Sequence, residues 1–257
     1  MSDYEARFDG IRRLFSAEGL ARLRRAHVCV VGVGGVGSWA AEALARSGLG
    51  ALTLVDLDDI CVSNVNRQVH ALDGAIGRPK VEAMADRIRA INPECCITVV
   101  HEFFTESNAA DILEKRFDYV LDAIDSLSNK CLLIASCRER TVPVFVVGGA
   151  GGRRSSAALK IADLACASHD RLLAAVRSEL RGKFGFPRGE TRFGIDCVFS
   201  PEPAIYPRSD GSVCEEREPD LSLRIDCGSG YGTACFVTGA FGFAAAGHIV
   251  QRIASGV

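Results

Sequence analysis

The sequence predicts an α/β protein built on a doubly wound, mostly parallel, Rossmann-like sheet. In the first half of the chain, short apolar segments alternate with helix-like segments, and the first apolar segment, at 27–32, runs directly into the glycine-rich stretch GVGGVGS. Parallel strands need long crossover connections, which are usually helices, so this alternation favours a parallel sheet. With 257 residues, 48% of them hydrophobic, the chain can bury a large core.

The individual elements follow from their residue patterns. Apolar runs rich in β-branched residues predict five strands, at 27–32, 51–56, 96–101, 117–122 and 143–148. The segments between them predict four helices, at about 36–47, 79–91, 107–115 and 128–139. The part from about 153 to 225 is richer in turn residues and predicts an irregular C-terminal lobe over the same sheet.

The glycine-rich stretch predicts a phosphate-binding turn at the start of a helix. Gly32, Gly34 and Gly37 fit the G-x-G-x-x-G pattern, and Gly35 lies within it. Asp56 closes the second strand, where a carboxylate normally holds ribose hydroxyls. These features alone fit a nicotinamide enzyme equally well.

A polar cluster behind Asp56 favours a triphosphate instead. A dehydrogenase has no need for so many charged and amide groups at this place; the cluster consists of Asp58, Asn64, Arg67, Gln68 and Lys80. Arg67 and Lys80 would supply the positive charge that phosphoryl oxygens require, although either one alone could be an ordinary surface cation.

Two carboxylates follow the fourth predicted strand. Asp122 and Asp125 end the run FDYVLDAID, which puts them at the carboxyl end of a buried parallel strand, where open α/β sheets bind ligands. Magnesium is usually held by one or two protein carboxylates together with phosphate oxygens and water. We expect Asp125 to be the metal ligand.

Six motifs together resemble the ThiF and MoeB-like enzymes, which are relatives of the ubiquitin-activating enzymes. The motifs are GVGGVGS (32–38), DLD (56–58), SNVNRQ (63–68), GRPK (77–80), NPE (92–94) and DAID (122–125). The resemblance covers most of the chain and implies adenylation of a carboxylate with ATP and Mg²⁺; it permits a monovalent cation besides. It implies a single adenylating domain over 1–257, with a nucleotide-binding half (1–152) and an acceptor-site and dimerisation half (153–257).

The resemblance also implies roles for single residues. Asp56 would hold the ribose, the phosphates would meet Asn64, Arg67 and Lys80, and Asp125 would bind the magnesium. RFDGIRRLF, at 7–15, is similar to the segment that in this family sends an arginine into the nucleotide site of a second subunit. Arg13 is the first candidate for that arginine and Arg7 the second, while a solvated helix face is the alternative. A homodimer is therefore expected.

The second half resembles one branch of this family, the tRNA threonylcarbamoyladenosine dehydratases. The matching stretches are GGAGG (148–152), DCVFSPE (196–202), YPRSDGSVC (206–214) and DCGSGYG (226–232). The resemblance implies a tRNA carrying threonylcarbamoyladenosine as substrate. Two alternatives stay open: an adenylating enzyme for a ubiquitin-like sulfur-carrier protein, and a nucleotide-sensing protein without turnover.

The charge distribution points to RNA independently of the motifs. The chain has a formal charge of −2, yet residues 138–192 carry eleven Arg or Lys against five Asp or Glu. These cations could meet an RNA backbone. Alternatively, HDRLLAAVRSELRGK, at 169–183, forms an amphipathic helix whose arginines are simply solvated.

Eleven cysteines without a signal peptide predict a reducing, cytoplasmic environment. No C-x-x-C pair occurs, whereas sulfur-carrier activating relatives commonly hold a structural zinc with two such pairs. Cys29 and Cys131 fit core positions, and Cys197 is more consistent with core than with catalysis. Cys227 is the candidate reactive thiol, because a glycine-rich segment follows it; a structural or gating role is favoured over a catalytic one. A cysteine desulfurase or sulfur-acceptor system is an additional candidate partner.

A final apolar stretch raises the question of membrane contact. Residues 227–247 contain no charged side chain, and about 20 such residues can span a bilayer. Because glycine and alanine dominate the stretch, we expect a core or dimer-interface helix and no stable membrane insertion. Membrane association through 228–250 is the alternative.

Overall fold

A seven-stranded sheet forms the centre of the computed structural model of the chain, which describes residues 2–216 and 231–256. The strands lie in the order β3-β2-β1-β4-β5-β7-β6, and all neighbours are parallel except β6 and β7. The strands of this sheet are β1 His27–Val31, β2 Ala51–Val55, β3 Cys96–Val100, β4 Tyr119–Asp122, β5 Val144–Val147, β6 Lys160–Asp163 and β7 Asp196–Phe199. The doubly wound parallel sheet predicted from the sequence is confirmed.

Helices cover both faces of this sheet. They are α1 Asp3–Arg25, α2 Gly37–Arg46, α3 Lys80–Ile91, α4 Ala109–Glu114, α5 Leu127–Glu139, α6 Arg171–Lys183 and α7 Cys235–Ser255. One layer of the core lies under α1, α2, α3 and α7, and a second lies under α4, α5 and α6. Apolar strands of four or five residues are buried between these layers, which explains why they read as continuous hydrophobic runs.

The order of the strands indicates at which edge of the sheet a ligand would bind. β1 pairs with both β2 and β4, so the chain winds in opposite directions on the two sides of β1. In open α/β sheets the carboxyl ends of the strands bind ligands at such a switch point. The loops after β1, β2 and β4 therefore converge, and they carry the glycine, DLD and DAID motifs.

Several elements do not follow from the local sequence patterns. α1 begins with a capping box, in which Ser2 Oγ accepts the Glu5 N–H at 3.2 Å and Glu5 accepts the Ser2 N–H at 2.9 Å. The helix is interrupted at Ser16, where φ is +70°.

β6 and β7 lie within the predicted irregular lobe (about 153–225) but extend the main sheet. The irregular part of the lobe is therefore the shorter segment that follows β7. That segment includes a ribbon of β8 Tyr206–Pro207 and β9 Val213–Cys214.

The apolar C-terminal stretch forms a core helix. In α7 the side chains of Val237, Phe241 and Ile249 are fully buried. A Cβ on Gly242 would lie 2.8 Å from Trp39 Cβ, so this glycine allows α7 and α2 to approach closely. Within residues 2–216 and 231–256, no helix has the length and apolar character needed to cross a membrane.

Candidate functional site

A glycine turn between β1 and α2 forms one wall of the candidate site. Gly32 has a φ of +91°, which side chains rarely adopt, and a Cβ here would lie 2.7 Å from the carbonyl oxygen of Ala123. A Cβ on Gly37 would lie 1.8 Å from the carbonyl oxygen of Gly32. Packing within the protein therefore requires both glycines.

Gly34 and Gly35 lie in a more open environment. A Cβ on Gly34 would meet nothing closer than Gln68 Nε2 at 4.0 Å, and one on Gly35 would lie 3.2 Å from Thr238 Cγ2. No protein atom therefore requires Gly34 to lack a side chain. The free space above its backbone, next to the start of α2, suits a phosphate group.

Asp56 is held by backbone groups at the end of β2. Its Oδ2 accepts the Val33 N–H at 2.7 Å and its Oδ1 accepts the Asp58 N–H at 2.9 Å. Burial raises the pKa of this carboxyl, and the nearby positive charge of Lys80 opposes the rise. The contact with Val33 fixes Asp56 against the glycine turn, where a ribose joined to phosphates would lie.

Lys80 lies in the same corner of the site. Its backbone N–H donates to the carbonyl of Asp58 at 3.0 Å, and its Nζ lies 2.6 Å from Asp58 Oδ2. The Lys80 side chain is only 8% exposed, whereas that of Asp58 is 53% exposed. A desolvated ammonium beside one solvated carboxylate can exchange that partner for a phosphate.

Arg67 is fixed through its backbone. Its carbonyl accepts Trp39 Nε1–H at 3.0 Å and the Thr238 hydroxyl at 3.1 Å, so α2 and α7 hold it from two sides. Its guanidinium donates to the carbonyl of Ser63 and to Asn66 Oδ1. The charged group thus lies along its own segment in this structure, and no carboxylate among the described residues pairs with it.

Two amides of the same segment are buried. Asn64 Oδ1 accepts the Cys61 N–H at 3.0 Å and caps the turn that begins there. Gln68 lies beside Gly34, and its Oε1 has no hydrogen-bond partner among the described residues. An unpaired buried amide group fits a place next to a ligand.

His70 is a site residue that sequence reasoning missed. Its ring Nε2 lies 2.9 Å from the carbonyl oxygen of Val33, so Nε2 carries the proton and donates. Burial lowers the pKa of His70 to about 4. The neutral ring therefore supports the glycine turn. The only available signal was its position, two residues after the SNVNRQ motif.

The structure corrects the expected role of Asp122. Neither Asp122 nor Lys130 is exposed, and Lys130 Nζ lies 3.0 Å from Asp122 Oδ2. Asp122 Oδ1 accepts the Ile124 N–H at 3.1 Å. Burial raises the pKa of Asp122, and Lys130 opposes the rise. Asp122 is therefore bound within the protein, where it shapes the loop after β4. Lys130, in the first turn of α5, is a residue that the sequence analysis did not single out.

Asp125 is the exposed carboxylate of the same loop. The loop begins where the Ala123 N–H donates to the Val31 carbonyl at 2.9 Å, and it contacts Gly32. The glycine turn and the loop that bears Asp125 are thus packed directly on each other.

The two arginine candidates on α1 face solvent. Arg13 is 75% exposed and pairs with Asp9 at 2.7 Å. Arg7 pairs with Asp3 at 2.8 Å. Both pairs lie within α1, and a role of either arginine in a second subunit stays a prediction.

The three cysteines that the sequence analysis assigned to the core, Cys29, Cys131 and Cys197, are all buried. Burial raises the pKa of the Cys131 and Cys197 thiols to about 12 and also raises that of Cys29, so none of them is a nucleophile at neutral pH. Cys227 lies outside the described residues.

Much of the basic segment 138–192 is used within the protein. Arg181 donates to the carbonyls of Pro187 and Gly189 at 3.1 and 3.0 Å, and Lys183 pairs with Glu179 at 2.6 Å. Arg153 is buried and Arg177 is partly buried, whereas Arg171 is exposed and lies over the ring of Tyr206. Helix α6 buries Leu173, Val176 and Leu180, which supports its amphipathic assignment.

Comparisons with known proteins identify the family of the chain. The model of the ThiF family matches residues 9–186. The chain is 47% identical over 252 residues to a tRNA threonylcarbamoyladenosine dehydratase of Escherichia coli, which covers 97% of this chain and 94% of that protein. A crystal structure of the E. coli dehydratase in complex with ATP matches with a TM-score of 0.88 at 44% identity, covering 99% of this chain and 97% of that chain.

Similarity to the sulfur-carrier branch is more limited. A molybdopterin-synthase adenylyltransferase of E. coli is 37% identical over 143 residues, which cover 56% of this chain and 56% of that protein. The dehydratase similarity, in contrast, includes the second half with its GGAGG and DCVFSPE stretches. The chain belongs to the ThiF family, and its similarity over nearly its whole length places it among the tRNA threonylcarbamoyladenosine dehydratases of that family.

Proposed function

We propose that this protein is an ATP-dependent dehydratase acting on N6-threonylcarbamoyladenosine in tRNA. It adenylates the threonyl carboxylate and then closes the ring of cyclic threonylcarbamoyladenosine. The observation that carries the proposal is the similarity to named dehydratases over 97% of the chain.

The chemistry needs a better leaving group than a carboxylate offers. A carboxylate oxygen attacks the α-phosphorus of ATP, and pyrophosphate leaves as the new P–O bond forms. The neighbouring carbamoyl group then attacks the acyl carbon, AMP leaves and a proton is released. Ring closure is intramolecular, so the enzyme acts mainly by positioning, an effect that can contribute roughly 7 to 11 kcal/mol.

In this proposal, different site residues contact the ribose and the phosphates of ATP. Asp56, fixed by the amides of Val33 and Asp58, holds the ribose. The phosphates lie over the open backbone at Gly34 and Gly35 and meet Lys80 and Arg67. Lys80 releases Asp58 to contact a phosphoryl oxygen, and Arg67 turns away from the Ser63 carbonyl.

Asp125 fits a magnesium ligand. It is an exposed, hard carboxylate on a loop packed against the phosphate-binding turn. Asp122, the other carboxylate of the DAID motif, is buried in an ion pair with Lys130. Magnesium bound there would neutralise charge on the phosphates as pyrophosphate leaves. Asn64 and Gln68 would complete the phosphate environment.

The enzyme acts as a homodimer in this proposal, with Arg13 of each subunit completing the other nucleotide site. Its exposure and its position on a helix with no role in its own site support this arrangement. Location in the cytoplasm follows from the tRNA substrate. Ring closure itself needs no thiol, so Cys227 would serve in sulfur transfer with a cysteine desulfurase as partner.

The direct test is an assay of the modified nucleoside. The purified protein is incubated with ATP, Mg²⁺ and tRNA bearing threonylcarbamoyladenosine, and the nucleoside is weighed under mild conditions that preserve a labile ring. Loss of one water is expected, and it should depend on ATP and on Asp125. Asp111→Ala, which changes an exposed aspartate on α4, serves as the matched control. No mass change, with ATP–pyrophosphate exchange stimulated by a small carrier protein, would move the assignment to the sulfur-carrier branch.

A further inference from the structure

A basic cleft lies at the amino ends of the strands, at the opposite edge of the sheet from the nucleotide site. Its main cavity, of about 550 Å³, is bordered by the ends of α1, α4 and α5. A second cavity of about 340 Å³ adjoins it and shares Arg25 and Asp118 with it. We call the two together the amino-edge cleft; its cations are Arg22, Arg25, Lys115, Arg116, Arg140 and Arg252.

The amino-edge cleft is positive within a chain of negative net charge. Six cations face only two acids, Glu114 and Asp118. Asp118 is partly used already, because its Oδ2 accepts the backbone N–H of His27 at 2.7 Å. The chain as a whole carries a formal charge of −2, so the positive charge is concentrated locally.

Three cleft cations have no partner among the described residues, unlike their neighbours in sequence. On α1 the other arginines form ion pairs at 2.5 to 2.8 Å; they are Arg7, Arg12, Arg13, Arg22 and Arg24. Arg25, at the end of the same helix, forms none with the part of the chain that the structure describes. Within residues 2–216 and 231–256, the side chains of Lys115 and Arg116 likewise make no ion pair or hydrogen bond.

We propose that the amino-edge cleft binds backbone phosphates of the tRNA. Its cations come from separate helix ends and spread over two adjoining cavities, a layout that suits a row of phosphates better than a single one. Unpaired like charges held together repel each other, and an RNA backbone would relieve that repulsion. The basic segment 138–192 is less suited, because several of its cations are bound to carbonyls and carboxylates of the protein.

This inference rests on the proposed function, which makes tRNA the substrate. The strands between the two edges are four or five residues long, or about 13 to 16 Å at 3.3 Å per residue. The cleft would therefore contact a part of the tRNA away from the modified nucleotide. It would contribute affinity and orientation, and no chemistry.

Two variants of the full-length protein with the same charge change test the inference. Lys115→Glu/Arg116→Glu alters the cleft, and Arg188→Glu/Arg192→Glu alters two exposed arginines of the basic segment. Binding of a labelled, unmodified tRNA transcript is followed by fluorescence anisotropy at several salt concentrations. The cleft variant should bind at least tenfold more weakly. Its log–log salt slope should be smaller by about 1.4 to 1.8, since each lost contact removes roughly 0.7 to 0.9.

The control variant should stay within about twofold of the wild type, and the KM for ATP should be unchanged in both. Arg25→Gln/Arg116→Gln, which only removes charge, should weaken binding in the same direction and guards against misfolding of the first variant. Equal losses in both Glu variants, a loss only in the 188/192 variant, or no loss in either would overturn the proposal. The proposal would also be overturned if inorganic phosphate bound to the cleft and the cleft variants nevertheless kept the tRNA affinity of the wild type. Formation of the cyclic nucleoside by the wild type is scored separately, so failure of the cleft and failure of the proposed function are distinguishable.

Discussion

Lys130 Nζ lies 3.0 Å from Asp122 Oδ2 and 3.0 Å from the carbonyl oxygen of Ile124, and both charged side chains are fully buried. Asp122 in turn accepts the N–H of Ile124. One buried ion pair thus fixes the backbone that leads to Asp125. The same backbone presents the Ala123 carbonyl to Gly32, so the pair also supports the glycine turn.

Removal of Lys130 should destabilise the protein strongly. Lys130→Met leaves the Asp122 carboxylate buried without its partner, and we expect the free energy of unfolding in urea to fall by about 3 to 5 kcal/mol. Asp122→Leu/Lys130→Met removes both charges and should be less destabilised than Lys130→Met alone. A double variant whose loss equals the sum of the two single losses would show that the two groups are not coupled.

Gly32 and Gly34 should separate structural from ligand-binding effects. Gly32→Ala places a Cβ 2.7 Å from a carbonyl oxygen at a positive φ, so it should lower both stability and ATP binding. Gly34→Ala meets no protein atom closer than 4.0 Å and should keep the melting temperature within a few degrees while weakening ATP binding. Thermal unfolding and ATP titration measure the two effects. A Gly34→Ala variant with unchanged ATP affinity would place the phosphates elsewhere.

His70 should make stability depend on pH. Its pKa is about 4 in the folded protein and about 6.5 when unfolded, so the unfolded state binds the proton first as the pH falls. This contribution is fully present above pH 6.5 and is lost between about 6.5 and 4. From pH 7.5 to 5 the loss amounts to about 2 kcal/mol. His70→Gln retains an N–H donor for the Val33 carbonyl but has no such titration. Urea unfolding at both pH values should therefore show a smaller drop for the variant; equal drops would contradict the assignment.

Asp125 and Arg67 should be needed for adenylation and not for folding. Both side chains reach solvent at least partly, so Asp125→Ala and Arg67→Ala should unfold at nearly the wild-type temperature. ATP–pyrophosphate exchange, driven by the modified tRNA, should fall at least a hundredfold in each. In Asp125→Ala higher Mg²⁺ should not restore the rate. Full exchange by Asp125→Ala would disprove its role as the metal ligand.

The sequence by itself determined the alternating strands and helices and the edge of the sheet where the site lies. Periodicity and apolar runs are local signals, so the ends of β1 to β5 and of α2 to α5 were predicted to within two residues. Parallel strands bring their carboxyl ends to one edge of the sheet. Motifs that follow different strands, such as the glycine turn and DAID, could therefore be predicted to lie in one site. The pattern of residues could also indicate the nucleotide chemistry, because phosphates and magnesium need few residue types.

Only the tertiary structure decided which of those polar groups are buried and what they contact. Asp122 and Asp125 are equivalent in the motif, but the packing of α5 against the end of β4 buries one beside Lys130 and leaves the other exposed. His70 gained its role through a carbonyl 37 residues away in the chain. β6 and β7 joined the sheet through pairing between distant segments. Burial and partner choice depend on segments that are remote in sequence, and a local pattern carries no information about them.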